Sequence, residues 1–119
     1  MALDGSFDGF YSVYITGTGG NGIIVLVLRD GLIAGADPFG VCFDGRYKLT
    51  DKGCSAAIAV HAPPDGFLVQ GVSTGPSGVN YELTTHLPID FLEKEYISIS
   101  TPLGPVNAKF KWLRGFSDG

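Results

Sequence analysis

Three glycines carry a pattern associated with nucleotide binding. Gly17, Gly19 and Gly22 are spaced as G-x-G-x-x-G, the fingerprint of a dinucleotide-binding loop. The fingerprint works because a helix follows it, and the free N–H groups at the helix N-terminus hold the pyrophosphate. Here the apolar, β-type run 23–28 follows instead. The pattern therefore predicts a glycine-rich hairpin loop over 17–22, with no cofactor.

Cysteine and histidine are the other residues with metal-binding or nucleophilic chemistry. Cys42 is predicted to face His61 on the neighbouring strand, but no third group orients the pair, so a chance surface pair is favoured. Glu82 and His86 share one strand face at roughly 13 Å, too far to hold one ion, so no metal site is predicted. Cys54 faces the core whereas Cys42 faces outward, which predicts two free thiols.

Carboxylates with acid–base potential lie at predicted strand ends or at outward positions, as Asp37, Asp44 and Asp90 do. Asp44 is close to Arg46 on the same strand face, which is more typical of a solvated surface pair than of a general acid. No nucleophile, acid and base converge, so we predict a non-enzymatic protein with no catalytic residue.

Length and composition set the class of protein. The 119 residues predict one domain, 1–119, with flexible ends at 1–6 and 116–119. With 18 glycines, 45% hydrophobic and 17% charged residues, the chain is typical of a turn-rich all-β protein. A net charge of −4 argues against nucleic acid as a partner. No secretory signal and no apolar run of ~18 residues is present, so we expect a cytoplasmic protein with no membrane partner.

The clearest hairpin lies in residues 22–37. Asp30-Gly31 favours a type I′ turn, and β-type residues stand on both sides of it. The opposed pairs predicted by this turn are Arg29 with Leu32, Leu28 with Ile33, Leu26 with Gly35 and Ile24 with Asp37.

The first strand of this hairpin has six consecutive apolar residues, 23–28. Strand side chains alternate between faces, so these six cannot all point into one core. One face is expected to be covered by another copy or another protein. The candidate dimer or partner face is Ile23, Val25 and Val27.

Alternation predicts a second hairpin that joins a strand over 39–49 to a strand over 54–62. The odd-numbered residues of the first strand, Phe39 included, and the even-numbered residues of the second are expected to face the core. The turn at 50–53 brings the two apolar faces together. The opposed pairs are Leu49 with Cys54, Tyr47 with Ala56, Gly45 with Ile58 and Phe43 with Val60.

The remaining chain predicts three further strands. Residues 67–78 are ambiguous between strand and loop, 79–87 read as a half-buried strand, and 88–94 have room for one helical turn. A last hairpin joins 96–101 to 106–114. Its predicted pairs are Ile99 with Ala108, Ile97 with Phe110 and Glu95 with Trp112.

About eight short strands in succession predict an all-β fold, an eight-stranded antiparallel up-and-down barrel with at most one short helical turn. A barrel of this size is either filled by side chains or holds one small apolar ligand, and the filled interior is favoured here. The candidate interior pocket is Phe43, Tyr47, Tyr81 and Phe110.

Residues 9–49 resemble the GrlR-type family, bacterial negative regulators of type III secretion genes. The resemblance lies in Gly9-Phe-Tyr-Ser-Val, in the run from Val27 to Asp37 and in Gly45-Arg-Tyr. It implies a lipocalin-like (calycin-like) barrel that is cytoplasmic, homodimeric and without catalytic activity. It also implies a function in binding and sequestering a transcriptional regulator.

The loop that these regulators use for their partner corresponds to Thr50, Asp51, Lys52 and Gly53, the candidate partner loop. This turn has one acid and one base in place of an acidic loop. The resemblance and the apolar run 23–28 together make a homodimeric, GrlR-like regulatory protein that acts through protein–protein contact the leading hypothesis. The alternative is a carrier of a small apolar or lipid-like ligand in the barrel interior.

Overall fold

The computed structural model describes residues 7–117, which form one antiparallel sheet of eight strands. The strands are β1 (Gly9–Gly17), β2 (Gly20–Arg29), β3 (Leu32–Ala36), β4 (Cys42–Thr50), β5 (Gly53–Ala62), β6 (Val79–Pro88), β7 (Ile97–Ile99) and β8 (Val106–Arg114). A 3₁₀ turn at Phe91–Glu93 lies between β6 and β7.

The sheet curls into a nearly closed barrel, in which the first strand, β1, pairs with both β2 and the last strand, β8. The strand order is β6-β5-β4-β3-β2-β1-β8-β7, so β6 and β7 are the two edges and a gap separates them. This confirms the predicted eight-stranded antiparallel up-and-down barrel with one short helical turn. We call the end with the β1–β2 turn the upper end, and the end with the 3₁₀ turn the lower end.

The opening hairpin has the predicted register, with Leu28 opposite Ile33 and Leu26 opposite Gly35. Asp30 and Gly31 have φ angles of +52° and +83°, as a type I′ turn requires. The expected pair of Ile24 with Asp37 is wrong, since the ladder ends one residue earlier. There the Asp37 side chain folds back onto the backbone of the β3–β4 loop.

The β4–β5 hairpin also has the predicted register, including Tyr47 opposite Ala56 and Phe43 opposite Val60. β6 continues this sheet as the predicted half-buried strand. Phe39 was expected to face the core, but it precedes β4 in a turn and is 83% exposed. The glycine-rich loop is shorter than expected, because Gly17 pairs with Gly20 and only two residues form the turn.

The predicted register of the last hairpin is wrong by two residues. Ile97 pairs with Ala108 and Ile99 with Val106. The turn lies closer to the N-terminal strand of the hairpin than expected. The Gly104 N–H donates to the Thr101 carbonyl at 3.0 Å, and the Thr101 hydroxyl donates to the Gly104 carbonyl at 2.6 Å.

Trp112, expected opposite Glu95, instead pairs with Tyr11 on β1. The two rings meet edge to face with centroids 5.5 Å apart. The contact places Trp112 in the lower part of the barrel wall.

Burial on β2 alternates as a two-sided strand requires. Ile24, Leu26 and Leu28 are buried in the barrel, whereas Ile23 and Val25 are about half exposed on the outside. The odd-numbered residues of β2 therefore face outward.

Both ends of the chain extend past the described residues. The predicted flexible segment 1–6 lies outside them, as do the last two residues of the segment 116–119. Phe116 packs on Phe10 at 4.9 Å, and the Arg29 guanidinium lies 4.4 Å from the Phe116 ring centroid. Within 7–117, no helix has the length and apolar character needed to cross a membrane.

Candidate ligand cavity

The barrel interior contains a cavity of about 690 Å³ that is partly open to solvent. The expectation of an interior filled by side chains is therefore wrong. Phe43, Tyr47, Tyr81 and Phe110, the residues proposed from sequence for an interior pocket, all line it. They face inward because the β4–β5–β6 and β1–β8 registers put their Cβ atoms on the concave side of the sheet.

Aromatic side chains close the lower end. Phe91 from the 3₁₀ turn is buried and stacks on Phe7 with ring centroids 5.1 Å apart. It also meets Phe110 edge to face at 5.3 Å and lies 5.8 Å from Tyr11. These rings form a floor beneath the cavity.

Two tyrosine hydroxyls near this floor are engaged by the protein itself. The Tyr11 hydroxyl donates to the Phe7 carbonyl at 2.6 Å. The Tyr47 hydroxyl donates to the Asp8 carboxylate, whose oxygens also accept from the Asp30 N–H. The lower end is thus held by hydrogen bonds from strands to the segment before β1.

The long β5–β6 connection, 63–78, covers the upper end, and we call it the cap. The Gly19 N–H bonds the Val69 carbonyl at 2.7 Å, and the Thr18 hydroxyl donates to the Gln70 carbonyl at 3.0 Å. A side chain at Gly17 would be 2.4 Å from the Val69 carbonyl oxygen, so glycine permits this close approach. Leu68, a residue of the cap, is buried and lines the cavity.

One group of polar side chains lies at the upper end, and we call it the polar cluster. The Gln70 side-chain N–H₂ donates to the Tyr81 hydroxyl at 3.0 Å and to the Thr101 hydroxyl at 3.3 Å. All three residues line the cavity. Sequence reasoning identified Tyr81 but missed Gln70 and Thr101, because neither segment has a periodic pattern that predicts which way a side chain points.

The mouth of the cavity lies where β2 and β3 diverge. The β2–β3 ladder ends at Val25 and Ala36, so the upper part of β2 has no partner on that side among the described residues. Exposed apolar side chains, Ile23, Phe39 and Phe67, line the cavity at this level. A ligand would meet an apolar rim before entering.

Within 7–117, Asp37 is the only residue with a charged side chain that lines the cavity. Its Oδ1 accepts from the backbone N–H groups of Phe39 at 2.8 Å and Val41 at 3.0 Å. The rest of the lining is mostly aliphatic and aromatic. The cavity therefore favours a neutral, mainly apolar occupant.

Burial shifts the titration of the lining phenols and the lining thiol. Desolvation raises the pKa of Tyr11 and of Tyr47, and for Tyr47 the hydrogen bond to Asp8 raises it further. Desolvation also raises the pKa of Tyr81, against a smaller lowering by the bond from Gln70. Burial raises the pKa of Cys54 to about 11. All four groups are neutral at pH 7.

These shifts predict alkaline destabilisation. The folded protein holds the four protons more tightly than the unfolded chain, so their contribution is complete below the unfolded pKa values and is lost as pH rises through the folded ones. Because unfolded Cys and Tyr titrate at about 8.5 and about 10, the urea midpoint should be constant to about pH 8 and fall above about pH 9. A midpoint that stays constant to about pH 11 would contradict this burial of the phenols.

The other groups considered from sequence do not form a site. Cys42 lies opposite His61 as predicted, but the thiol donates to the Gly40 carbonyl at 3.7 Å and the imidazole bonds Asn80. Both cysteines are free, with Cys42 exposed and Cys54 buried, as predicted. Within the described chain, no three acidic, cysteine or histidine side chains come together as a metal site.

The candidate carboxylates are also dispersed. Asp44 and Arg46 are both exposed, and no ion pair joins them in the described structure. Asp90 precedes the 3₁₀ turn, where its carboxylate lies 3.5 Å from the Lys94 ammonium.

The candidate partner residues lie on the outside of the barrel. Ile23, Val25 and Val27 share the outer face of β2, and Val27 is less exposed than the other two. The candidate partner loop, Thr50–Gly53, is the β4–β5 turn at the lower end, with Asp51 and Lys52 exposed.

Comparisons of the chain with models of protein families, with curated protein sequences and with solved structures found no match. The resemblance to the GrlR-type family therefore stays a prediction from residues 9–49.

Proposed function

We propose that this protein binds a small, neutral, mainly apolar molecule inside its barrel. The observation that carries the proposal is the cavity of about 690 Å³, which lies within the range of roughly 300–1,000 Å³ typical of ligand pockets. A core packed at ordinary density leaves few voids larger than a water molecule, so a space of this size exceeds what packing defects produce.

The lining supports an apolar ligand over a water-filled space. Water in a cavity needs two to four polar partners, and an apolar cavity stays dry. Over most of this cavity the lining consists of inward side chains such as Leu26, Ile33, Ile58 and Leu83. An apolar ligand would gain contact with these side chains on entry.

The test is a titration of the purified protein with N-phenyl-1-naphthylamine (NPN), a neutral dye that fluoresces strongly in apolar surroundings. We expect a blue-shifted emission that saturates at one dye per chain. The protein should first be extracted with organic solvent, so that a molecule carried from its source does not occupy the cavity. Emission that never saturates, or that never rises above the free dye, would contradict the proposal.

The second candidate function is a regulatory one, exercised by a homodimer through protein–protein contact, as the resemblance implies. The observation that favours it is the outer face of β2, where Ile23 and Val25 are exposed. They have Tyr14 on β1 and Ala36 on β3 as cross-strand neighbours. We call this surface the β2 face. Clustered exposed apolar side chains are typical of interaction sites.

A second copy of the chain would pair part of the charge on the flanks of the β2 face. Lys109 and Lys111 of β8 lie on one flank, and Asp44 of β4 lies on the other, beside Arg46 two residues further along the same strand face, all exposed. A twofold axis parallel to β2 would place the lysine flank of one copy over the Asp44 flank of the other. Such an arrangement is self-complementary, as a twofold interface must be.

A further inference from the structure

The polar cluster interrupts the apolar lining with connected polar side chains that have hydrogen-bonding capacity to spare. Gln70, 9% exposed, reaches from the cap to Tyr81 on β6 and to Thr101 beside β7. The Thr101 hydroxyl is fully engaged, since it accepts from Gln70 and the Leu103 N–H and donates to the Gly104 carbonyl. The side-chain groups of Gln70 and Tyr81 are not fully engaged in hydrogen bonds.

A phenol can donate one hydrogen bond and accept others, and a primary amide offers two donors and an acceptor oxygen. In the described structure, Tyr81 only accepts, and the Gln70 side-chain oxygen has no donor. Reversing the Gln70 amide would exchange these roles and leave amide hydrogens unused instead. Either way, polar groups that line the cavity have unused hydrogen-bonding capacity, which a suitable ligand group can use.

We propose that the polar cluster binds the single polar group of the ligand, so that the natural ligand is a neutral molecule with an apolar body and one hydroxyl or carbonyl group. This inference rests on the proposed ligand-binding function. Tyr11 and Tyr47 at the lower end do not compete, because their hydroxyls already donate to Phe7 and Asp8.

A carboxylate is excluded by the same inventory. Among residues 7–117, no lysine, arginine or histidine lines the cavity to pair with an anion. Asp37 at the mouth adds negative charge. Burying an unpaired carboxylate is strongly unfavourable, so a fatty acid anion is a poor fit where the corresponding alcohol is a good one.

The cluster also connects three segments, the cap, β6 and the β7–β8 turn, across the gap in the barrel. A purely structural connection would affect stability and the binding of every ligand alike. A site for a polar group affects only ligands that carry such a group. The two roles therefore separate when two ligands of the same shape are compared.

The experiment measures displacement of NPN at pH 7 by 2-naphthol and by 2-methylnaphthalene, which differ in one hydroxyl. In Tyr81→Phe and in Gln70→Met, we expect the affinity for 2-naphthol to fall roughly five- to tenfold, as for one lost hydrogen bond. The affinity for 2-methylnaphthalene should stay within about twofold. The control, Tyr47→Phe, removes a phenol at the other end of the cavity and should change neither ligand selectively. In the wild type, 2-naphthoate should fail to displace the dye.

Equal weakening of both naphthalenes in Tyr81→Phe and Gln70→Met would reduce the polar cluster to a structural connection and overturn the inference, with ligand binding intact. Selective loss of 2-naphthol in Tyr47→Phe would also overturn it, as would displacement by 2-naphthoate. Absence of NPN binding in the wild type would instead contradict the proposed function and the inference together. Melting temperatures of all variants show whether each one is folded.

Discussion

Replacing Ala56 with phenylalanine should abolish most ligand binding without unfolding the protein. Ala56 is buried on the inner face of β5, between Tyr47 and Thr85 in neighbouring strands, and lines the cavity. A phenyl ring there occupies space that the ligand needs. If the bound state is overpacked by about 1–3 kcal/mol, the NPN dissociation constant rises roughly ten- to hundredfold.

The stability of the same variant should rise although its affinity for the ligand falls. Filling an empty apolar space commonly stabilises a protein by about 0.5–2 kcal/mol, so Ala56→Phe should unfold at a higher urea concentration than the ligand-free wild type. A variant that binds less and is more stable excludes misfolding as the cause.

The adjacent residue provides the matched control. Ala57 is exposed on the outer face of β5, so Ala57→Phe adds the same ring on the other side of the same strand. Its dissociation constant should stay within roughly twofold of the wild type, as for most surface substitutions. Wild-type affinity in Ala56→Phe would place the dye outside the barrel.

Replacing Val25 with lysine should convert a dimer into a monomer. Val25 lies at the centre of the β2 face, with Ser12 and Ala36 as its cross-strand neighbours. In a twofold dimer the change adds one lysine from each copy to an apolar contact. Since an uncompensated buried charge costs about 3–5 kcal/mol, the dimer dissociation constant should rise at least about 100-fold.

Analytical ultracentrifugation at micromolar concentration measures this effect. The wild type should sediment as a dimer and Val25→Lys as a monomer. Thr84→Lys is the control, because Thr84 is exposed on β6, on the opposite side of the barrel. A monomeric wild type, or a dimer that survives Val25→Lys, would contradict the homodimer and the use of the β2 face.

Local sequence signals predicted most of the wall of the barrel. The Asp30-Gly31 turn determines the β2–β3 register, and the turn at Thr50–Gly53 determines the β4–β5 register. Once a turn is placed, alternation assigns every residue of both strands to a face, which is why Phe43 and Tyr47 were correctly expected inside. The predicted register of the last hairpin was wrong because two prolines and a glycine in residues 100–105 allow more than one turn position.

The hollow interior could not be predicted in the same way. Alternation states which side chains point inward, but not whether their summed volume fills the space that the curvature of the sheet creates. The polar cluster was beyond reach for another reason. Gln70 and Tyr81 meet through a long aperiodic connection, and only the folded cap brings the Gln70 amide within 3.0 Å of the phenol.

The location of bound NPN can be measured directly by NMR, from nuclear Overhauser effects between its ring protons and assigned methyl groups. Inward methyls of Leu26, Ile33 and Ile58 line the cavity, whereas Val25 and Val27 carry theirs on the outer face of β2 and do not line it. If the protein is a ligand-binding barrel, the contacts will be to Leu26, Ile33 and Ile58. Contacts confined to Val25 and Val27 would contradict the account.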